Sequence, residues 1–170
     1  MYRTRGYYPL AIATLKQGEN NQAQSRELYQ ALAETYEGRA EANGCTYEHG
    51  DSLYSAATYY QKAIPLATDK PELHFQLAQM FIDNNHYPLA LNEIAIVLEL
   101  APSAANFAWA AQSYSMMGHE QQALELLDKA KQQGLAASDT AYHEIYMNSG
   151  NWMQAAMSFT EYLQAQPEIS

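Results

Sequence analysis

The stretch "FQLAQMFIDNNHYPLALNEIAIVLELAP", residues 75–102, contains a pattern that recurs twice more along the 170-residue chain. An aromatic residue is followed by an alanine nine positions later, and by a large apolar residue four positions after that. The three copies are Phe81, Ala90 and Ile94; Tyr114, Ala123 and Leu127; Tyr146, Ala155 and Phe159. Their aromatic positions lie 33 and 32 residues apart. A fixed period of this length is typical of repeat arrays, in which each unit buries its apolar face against its neighbours.

Each copy predicts a hairpin of two antiparallel helices. Helix-forming residues dominate the chain, and prolines and glycines fall between the periodic segments. Alanines are expected where helix backbones approach closely, with large side chains filling the gaps beside them. Gly118 and Gly150 are expected to make the turns within their hairpins, and Pro102 and Pro167 to close their units.

The three copies resemble the tetratricopeptide repeat, whose pattern leads from a large residue through Leu-Gly, an aromatic residue and an alanine to a closing proline. The stretches that carry the resemblance are residues 75–102, "WAAQSYSMMGHEQQALELLDKA" at 109–130 and "EIYMNSGNWMQAAMSFTEYLQAQP" at 144–167. The resemblance implies an all-α fold, a right-handed superhelical array of antiparallel helix hairpins with about four to five repeats. A single domain is predicted over residues 1–170, with repeats at 37–70, 71–103, 104–135 and 136–170.

The stretch "NGCTYEHGDSLYSAATYYQKAI", residues 43–64, fits the same frame with Tyr47 as its aromatic residue and Ala56 nine positions later. In that frame the first helix ends near Tyr47. The turn of the hairpin is then predicted at Gly50 and Asp51.

Residues 1–36 fit the pattern more loosely and are interpreted as a degenerate first repeat. The alternative is an N-terminal hairpin outside the repeat, followed by one long helix from about Gln22 to Asn43 that passes through Gly38. Both alternatives are helical.

The charge balance restricts the partners of the chain. Nine Lys and Arg residues stand against 19 Asp and Glu residues, for a net charge of −10. Such a surface disfavours nucleic acid and anionic membrane surfaces, and favours basic or apolar partners. No apolar run is long enough to insert into a membrane. The single cysteine fits a reducing, cytoplasmic compartment, and a periplasmic location stays open if the chain is a mature or truncated segment.

A thiol enzyme is the sharpest catalytic hypothesis, because Cys45 lies four residues from His49 and near Glu48 and Asp51. The competing interpretation is the polar end of a hairpin, and it is preferred because no cluster of positive charge would activate the thiol. The sequence therefore predicts no catalytic residue. The five histidines show no paired spacing and there is one cysteine, so neither a metal site nor a cofactor is expected.

The resemblance implies a concave groove, lined by the first helix of each hairpin, that binds a peptide or protein segment. Its lining positions in this sequence are Tyr8, Ile12, Glu41, Cys45, Phe75, Gln79, Ile82, Gln112, Met116, Glu144 and Met147. These apolar, amide and acidic side chains suit a segment with apolar anchors and basic residues.

The expected function is a non-catalytic protein-interaction scaffold, for which the resemblance suggests a bacterial secretion chaperone, pilotin or assembly factor. The alternative is a repeat segment of a larger protein that serves as a spacer or oligomerisation domain. In that case uncapped terminal repeats would pair with further repeats or with another copy.

Overall fold

The computed structural model describes residues 7–21, 24–43, 47–136 and 140–165, with the side chains of residues 43, 47 and 48 left aside. Within these ranges the regular secondary structure is helical and no strand occurs. The chain divides into two compact units, Met1–Met80 and Phe81–Ser170. The all-α prediction is confirmed, and the helices pack in adjacent pairs.

The first unit is built around a pair of long helices. It contains α1 (Tyr8–Asn20), α2 (Arg26–Asn43), α3 (Tyr47–Ala63), a short 3₁₀ helix (Ile64–Leu66) and most of α4 (Lys70–Asp83). Helix α2 packs along α3, and α1 packs on α2. The side chains of Leu32, Ala33, Tyr36, Ala56 and Tyr60 form the buried seam between α2 and α3.

The second unit contains the end of α4 and five further helices. They are α5 (Tyr87–Leu100), α6 (Ala104–Met116), α7 (Glu120–Gln132), α8 (Thr140–Asn148) and α9 (Trp152–Ala165). Helix α6 pairs with α7, α8 pairs with α9, and α8 also packs on α6. The alanines expected at close approaches are buried, with Ala90, Ala111, Ala123 and Ala155 at 1% exposure or less.

The same turn ends α4, α6 and α8. Its central residue takes a left-handed conformation, at Asn85 (φ 60°), Gly118 (φ 78°) and Gly150 (φ 72°). In each copy the next residue donates its N–H to the carbonyl of the repeat's aromatic residue. The donor–acceptor pairs are His86 to Phe81 at 2.8 Å, His119 to Tyr114 at 2.9 Å and Asn151 to Tyr146 at 2.9 Å. This is the Schellman arrangement, and it satisfies carbonyls that the helix end would otherwise leave without a donor. The predicted turns at Gly118 and Gly150 are thereby confirmed.

The turn predicted at Gly50 and Asp51 is wrong. Helix α3 begins at Tyr47 and continues through both residues, so the connection between α2 and α3 comes before Tyr47. Helix α2 runs unbroken from Arg26 to Asn43 through Gly38, as the long-helix alternative predicted. The repeat boundary predicted between residues 36 and 37 therefore falls inside α2.

We expect Gly118→Ala and Gly150→Ala each to lower the free energy of unfolding by about 1–2 kcal/mol, because a side chain disfavours left-handed backbone. Gly50→Ala is the matched control. Gly50 lies in a helix with no atom near its added Cβ, so alanine should raise stability by about 0.5–1 kcal/mol. Urea denaturation followed by circular dichroism measures both. A loss of stability in Gly50→Ala, or none in the two turn variants, would contradict these assignments.

Candidate functional site

A cavity of about 920 Å³ lies in the first unit, where the N-terminal half of α1 faces α2. Its size is that of a pocket for a small ligand or a few side chains of a peptide. The lining residues from α1 and its N-cap are Tyr7, Tyr8, Leu10, Ala11, Thr14 and Leu15. Those from α2 are Ala31, Glu34, Thr35, Glu37, Gly38 and Glu41.

The sequence of α2 explains how this wall forms. Residues 31, 34, 38 and 41 recur at spacings of three and four, which places them on one face of a helix. At the centre of this face Gly38 leaves room for the Tyr8 ring. A Cβ added at Gly38 would lie 3.1 Å from the Tyr8 hydroxyl oxygen and from one ring carbon. The missing side chain therefore lets α1 place an aromatic ring directly against the α2 backbone.

The cavity is acidic as well as apolar. Glu34, Glu37 and Glu41 contribute carboxylates, and no Lys, Arg or His is among the lining residues described. Tyr60 donates a hydrogen bond to Glu37 at 3.0 Å, and the Gln30 amide donates one to Glu34 at 3.1 Å. The three carboxyl groups make the lining acidic, which favours a basic partner.

A polar cluster links α1 to the hairpin formed by α2 and α3. The Lys62 ammonium lies 2.8 Å from one Glu19 carboxylate oxygen, and the Tyr59 hydroxyl donates to the other at 3.0 Å. Lys62 also lies over the rings of Tyr59 and Tyr29, with distances of 4.7 and 5.4 Å to their centroids. Tyr36 stacks on Tyr59 with 5.7 Å between ring centroids. Because α1 is one wall of the cavity, these contacts help to fix the position of that wall.

The contacts in this cluster shift the pKa values of Glu19 and Tyr59. The hydrogen bond from Lys62 holds the pKa of Glu19 below its ordinary value of 4.5, although burial opposes this shift. Burial, and then the hydrogen bond to Glu19, raise the pKa of the Tyr59 hydroxyl well above its usual range. At neutral pH the tyrosine is therefore a proton donor and the glutamate a charged acceptor.

The structure places the predicted groove residues of the first unit in different surroundings. Tyr8 and Glu41 both line the cavity. Ile12 is buried and is not among the residues that line the cavity. Phe75 and Gln79 are half-buried on α4. Cys45 lies outside the described residues.

Among the predicted groove residues of the second unit, two are in direct contact. The Gln112 amide on α6 donates a 2.7 Å hydrogen bond to the Glu144 carboxylate on α8. Met116 and Met147 are exposed on the same two helices. Ile82, near the end of α4, is buried. Helices α6 and α8 thus present an amide–carboxylate pair and two methionines.

Several cavity residues were not among the predicted groove positions, including Glu34, Glu37 and Gly38. The repeat boundary predicted between residues 36 and 37 separates Glu34 from Glu37 and Glu41. Treating residues 26–43 as one helix aligns the three glutamates at spacings of three and four. That spacing was the available signal for an acidic face.

The residues of the thiol hypothesis are only partly described. His49 Nδ1 lies 3.0 Å from the Ala40 carbonyl oxygen, so the ring is held against the end of α2. Among the described residues, no three His, Cys, Asp or Glu side chains converge into a group that could hold a metal ion. In the same part of the chain, no helix has both the length and the apolar character needed to cross a bilayer.

No protein-family model matches the sequence, and no curated protein matches it. The geometry of the chain itself therefore has to indicate the function.

We expect acidification to destabilise the wild-type chain more than Glu19→Gln. The folded pKa of Glu19 is lowered, so its contribution is present above pH 4.5 and is lost as the pH falls through the folded pKa. Because the pair is partly exposed, the difference should stay below about 1 kcal/mol. Urea denaturation at neutral pH and near pH 3 measures it.

The matched control is Glu99→Gln, which removes an exposed glutamate from the second unit. The free energy of unfolding of this variant should change between the two pH values as much as that of the wild type. Equal acid sensitivity in Glu19→Gln and the wild type would contradict the assigned role of Glu19.

Proposed function

We propose that this chain is a non-catalytic binding scaffold that holds a peptide or protein segment in the cavity between α1 and α2. The observation that carries the proposal is the combination of a cavity of about 920 Å³ with a lining of apolar side chains and three carboxylates. Such a surface offers anchoring pockets and charge, and no nucleophile–base pair is among its lining residues. Binding is therefore the chemistry that it suits.

The lining indicates which segment would fit. The cavity is lined by Leu10, Ala11 and Leu15 on α1 and by Ala31 on α2, and these apolar groups can accept an apolar side chain. Glu34 and Glu41 lie seven residues apart on α2, about 10 Å along a helix, and can each receive a Lys or Arg. The partner we propose is accordingly a segment that alternates apolar and basic residues.

We also propose that the scaffold belongs to the tetratricopeptide-repeat class. The turn hydrogen bonds at Phe81, Tyr114 and Tyr146 recur with the sequence period, which supports a helical repeat. A secretion chaperone, pilotin or assembly factor would use such a scaffold to hold a client segment. All three roles need capture of a segment and no catalysis.

A short synthetic peptide of leucine and lysine tests the binding proposal, with a leucine–glutamate peptide as its charge control. We expect saturable binding of the first alone, weaker at high salt because exposed charges are screened. Glu34→Gln/Glu41→Gln should weaken binding about threefold to tenfold, since each exposed charge pair contributes about 0.2–1 kcal/mol. Isothermal titration calorimetry gives the affinity.

The matched control for charge is Glu99→Gln/Glu120→Gln, which removes two exposed carboxylates from the second unit. It should leave the affinity within about twofold of the wild type. An equal loss in both double variants would mean attraction to an acidic surface in general, and would contradict binding in the cavity.

A steric variant separates insertion from charge attraction. Gly38→Leu would fill the space now held by the Tyr8 ring and should reduce binding with all carboxylates in place. Gly50→Leu adds the same side chain in the same unit, where no atom lies near the added Cβ, and should bind as the wild type does. Unchanged binding in Gly38→Leu would place the site elsewhere.

A further inference from the structure

Helix α9 exposes a continuous apolar stripe. Trp152, Phe159 and Leu163 are 64%, 44% and 55% exposed, and Ala156 lies between them on the same face. Their spacing of four, three and four residues is that of a coiled-coil seam, which keeps one stripe facing a partner helix. Met153 and Met157 are exposed beside it. Beside the stripe, Ala155 and Ser158 of α9 are buried in the second unit.

In the preceding hairpin the equivalent stripe belongs to α7 and is contacted by α8. Thirty-two residues earlier, Leu127 of α7 occupies the position of Phe159 and is 1% exposed. Lys131 occupies the position of Leu163, and it donates a 2.8 Å hydrogen bond to the Tyr146 hydroxyl and lies 4.8 Å from the Tyr142 ring centroid. Both tyrosines belong to α8, which packs on α7. The stripe of α7 is thus an interhelical contact. Among the described residues, the equivalent stripe of α9 stays largely exposed, although the Phe159 ring also lies 5.0 Å from the His143 ring of α8.

The amino-acid composition of the α9 stripe restricts which kind of helix can pack on it. Where α7 has the charged residues Glu120 and Lys131, α9 has Trp152 and Leu163. Glu161 is the sole charged residue of α9. A helix that pairs here must therefore present apolar side chains, unlike the tyrosine face that α8 presents to Lys131.

Within the described part of the chain, α9 itself is the helix that presents such a stripe. The other exposed large apolar side chains, such as Leu66, Leu89 and Leu100, are scattered over several helices. A second copy also brings no unfavourable charge to the seam, although each chain carries a net charge of −10. We propose that α9 pairs with α9 of a second copy, which makes the protein a homodimer through this stripe.

Two-fold symmetry makes the proposed contact self-complementary, since the same patch serves on both subunits. The bulky Trp152, Phe159 and Leu163 of one copy then pack around the small Ala156 of the other. This surface differs from the α1–α2 cavity, so dimerisation does not depend on the binding function.

Sedimentation velocity at increasing protein concentration tests the proposal. The wild type is expected to pass from monomer to dimer in the micromolar range. Phe159→Glu/Leu163→Glu should raise the dissociation constant at least tenfold with unchanged helicity. The matched control, Leu89→Glu/Leu100→Glu, places the same charges at exposed positions of α5 and should dimerise as the wild type does.

A charge-reversal pair tests self-pairing directly. Phe159→Glu and Phe159→Lys should each be monomeric alone and form a mixed dimer when combined, because opposite charges then meet across the seam. A wild type that stays monomeric would overturn the proposal. So would a dimer that survives Phe159→Glu/Leu163→Glu, or one that the α5 control disrupts equally.

Discussion

A single left-handed residue after each first helix is the constraint on which the hairpins of the second unit depend. Asn85, Gly118 and Gly150 adopt this conformation, and the following N–H then reaches the carbonyl of the repeat's aromatic residue. Each turn takes three residues, and after Gly118 and Gly150 the chain reverses so that α7 packs on α6 and α9 on α8. The repeat alanines Ala123 and Ala155 are buried in these hairpins, as expected for small residues at a close helix packing. Turn chemistry and core packing are therefore consequences of one spacing in the sequence.

The sequence predicted the fold best where the repeat pattern and the turn residue agree. Around Gly118 and Gly150 the aromatic, glycine and alanine positions all indicate one hairpin, and the structure has it. Around Tyr47 the aromatic and alanine spacing fits, but Gly50 has no left-handed role. A glycine within a helix costs about 0.5–1 kcal/mol relative to alanine, which the long α2–α3 seam can offset. The spacing of Tyr47 and Ala56, without a left-handed turn residue, therefore predicted the hairpin turn at the wrong position.

The cavity between α1 and α2 depends on contacts between residues that are distant in the sequence. Tyr8 and Glu41 were expected in a groove, and both line the cavity. Its other wall residues follow from α1 lying on α2, which involves the Glu19–Lys62 pair, 43 residues apart in sequence. The close approach at Gly38 adds a second long-range condition. No local sequence pattern predicts the Glu19–Lys62 pair or the close approach at Gly38. The acidic face of α2, by contrast, follows from helical spacing once residues 26–43 are treated as one helix.

Hydrogen exchange with and without the leucine–lysine peptide tests most directly whether the space between α1 and α2 is the binding site. Exchange reports the local opening of backbone hydrogen bonds, and a bound segment suppresses that opening where it sits. We predict slower exchange in Tyr8–Asn20 and Arg26–Asn43, with the helices of the second unit unchanged. Slower exchange in α6 and α8 instead, around Gln112 and Glu144, would contradict a site in the cavity.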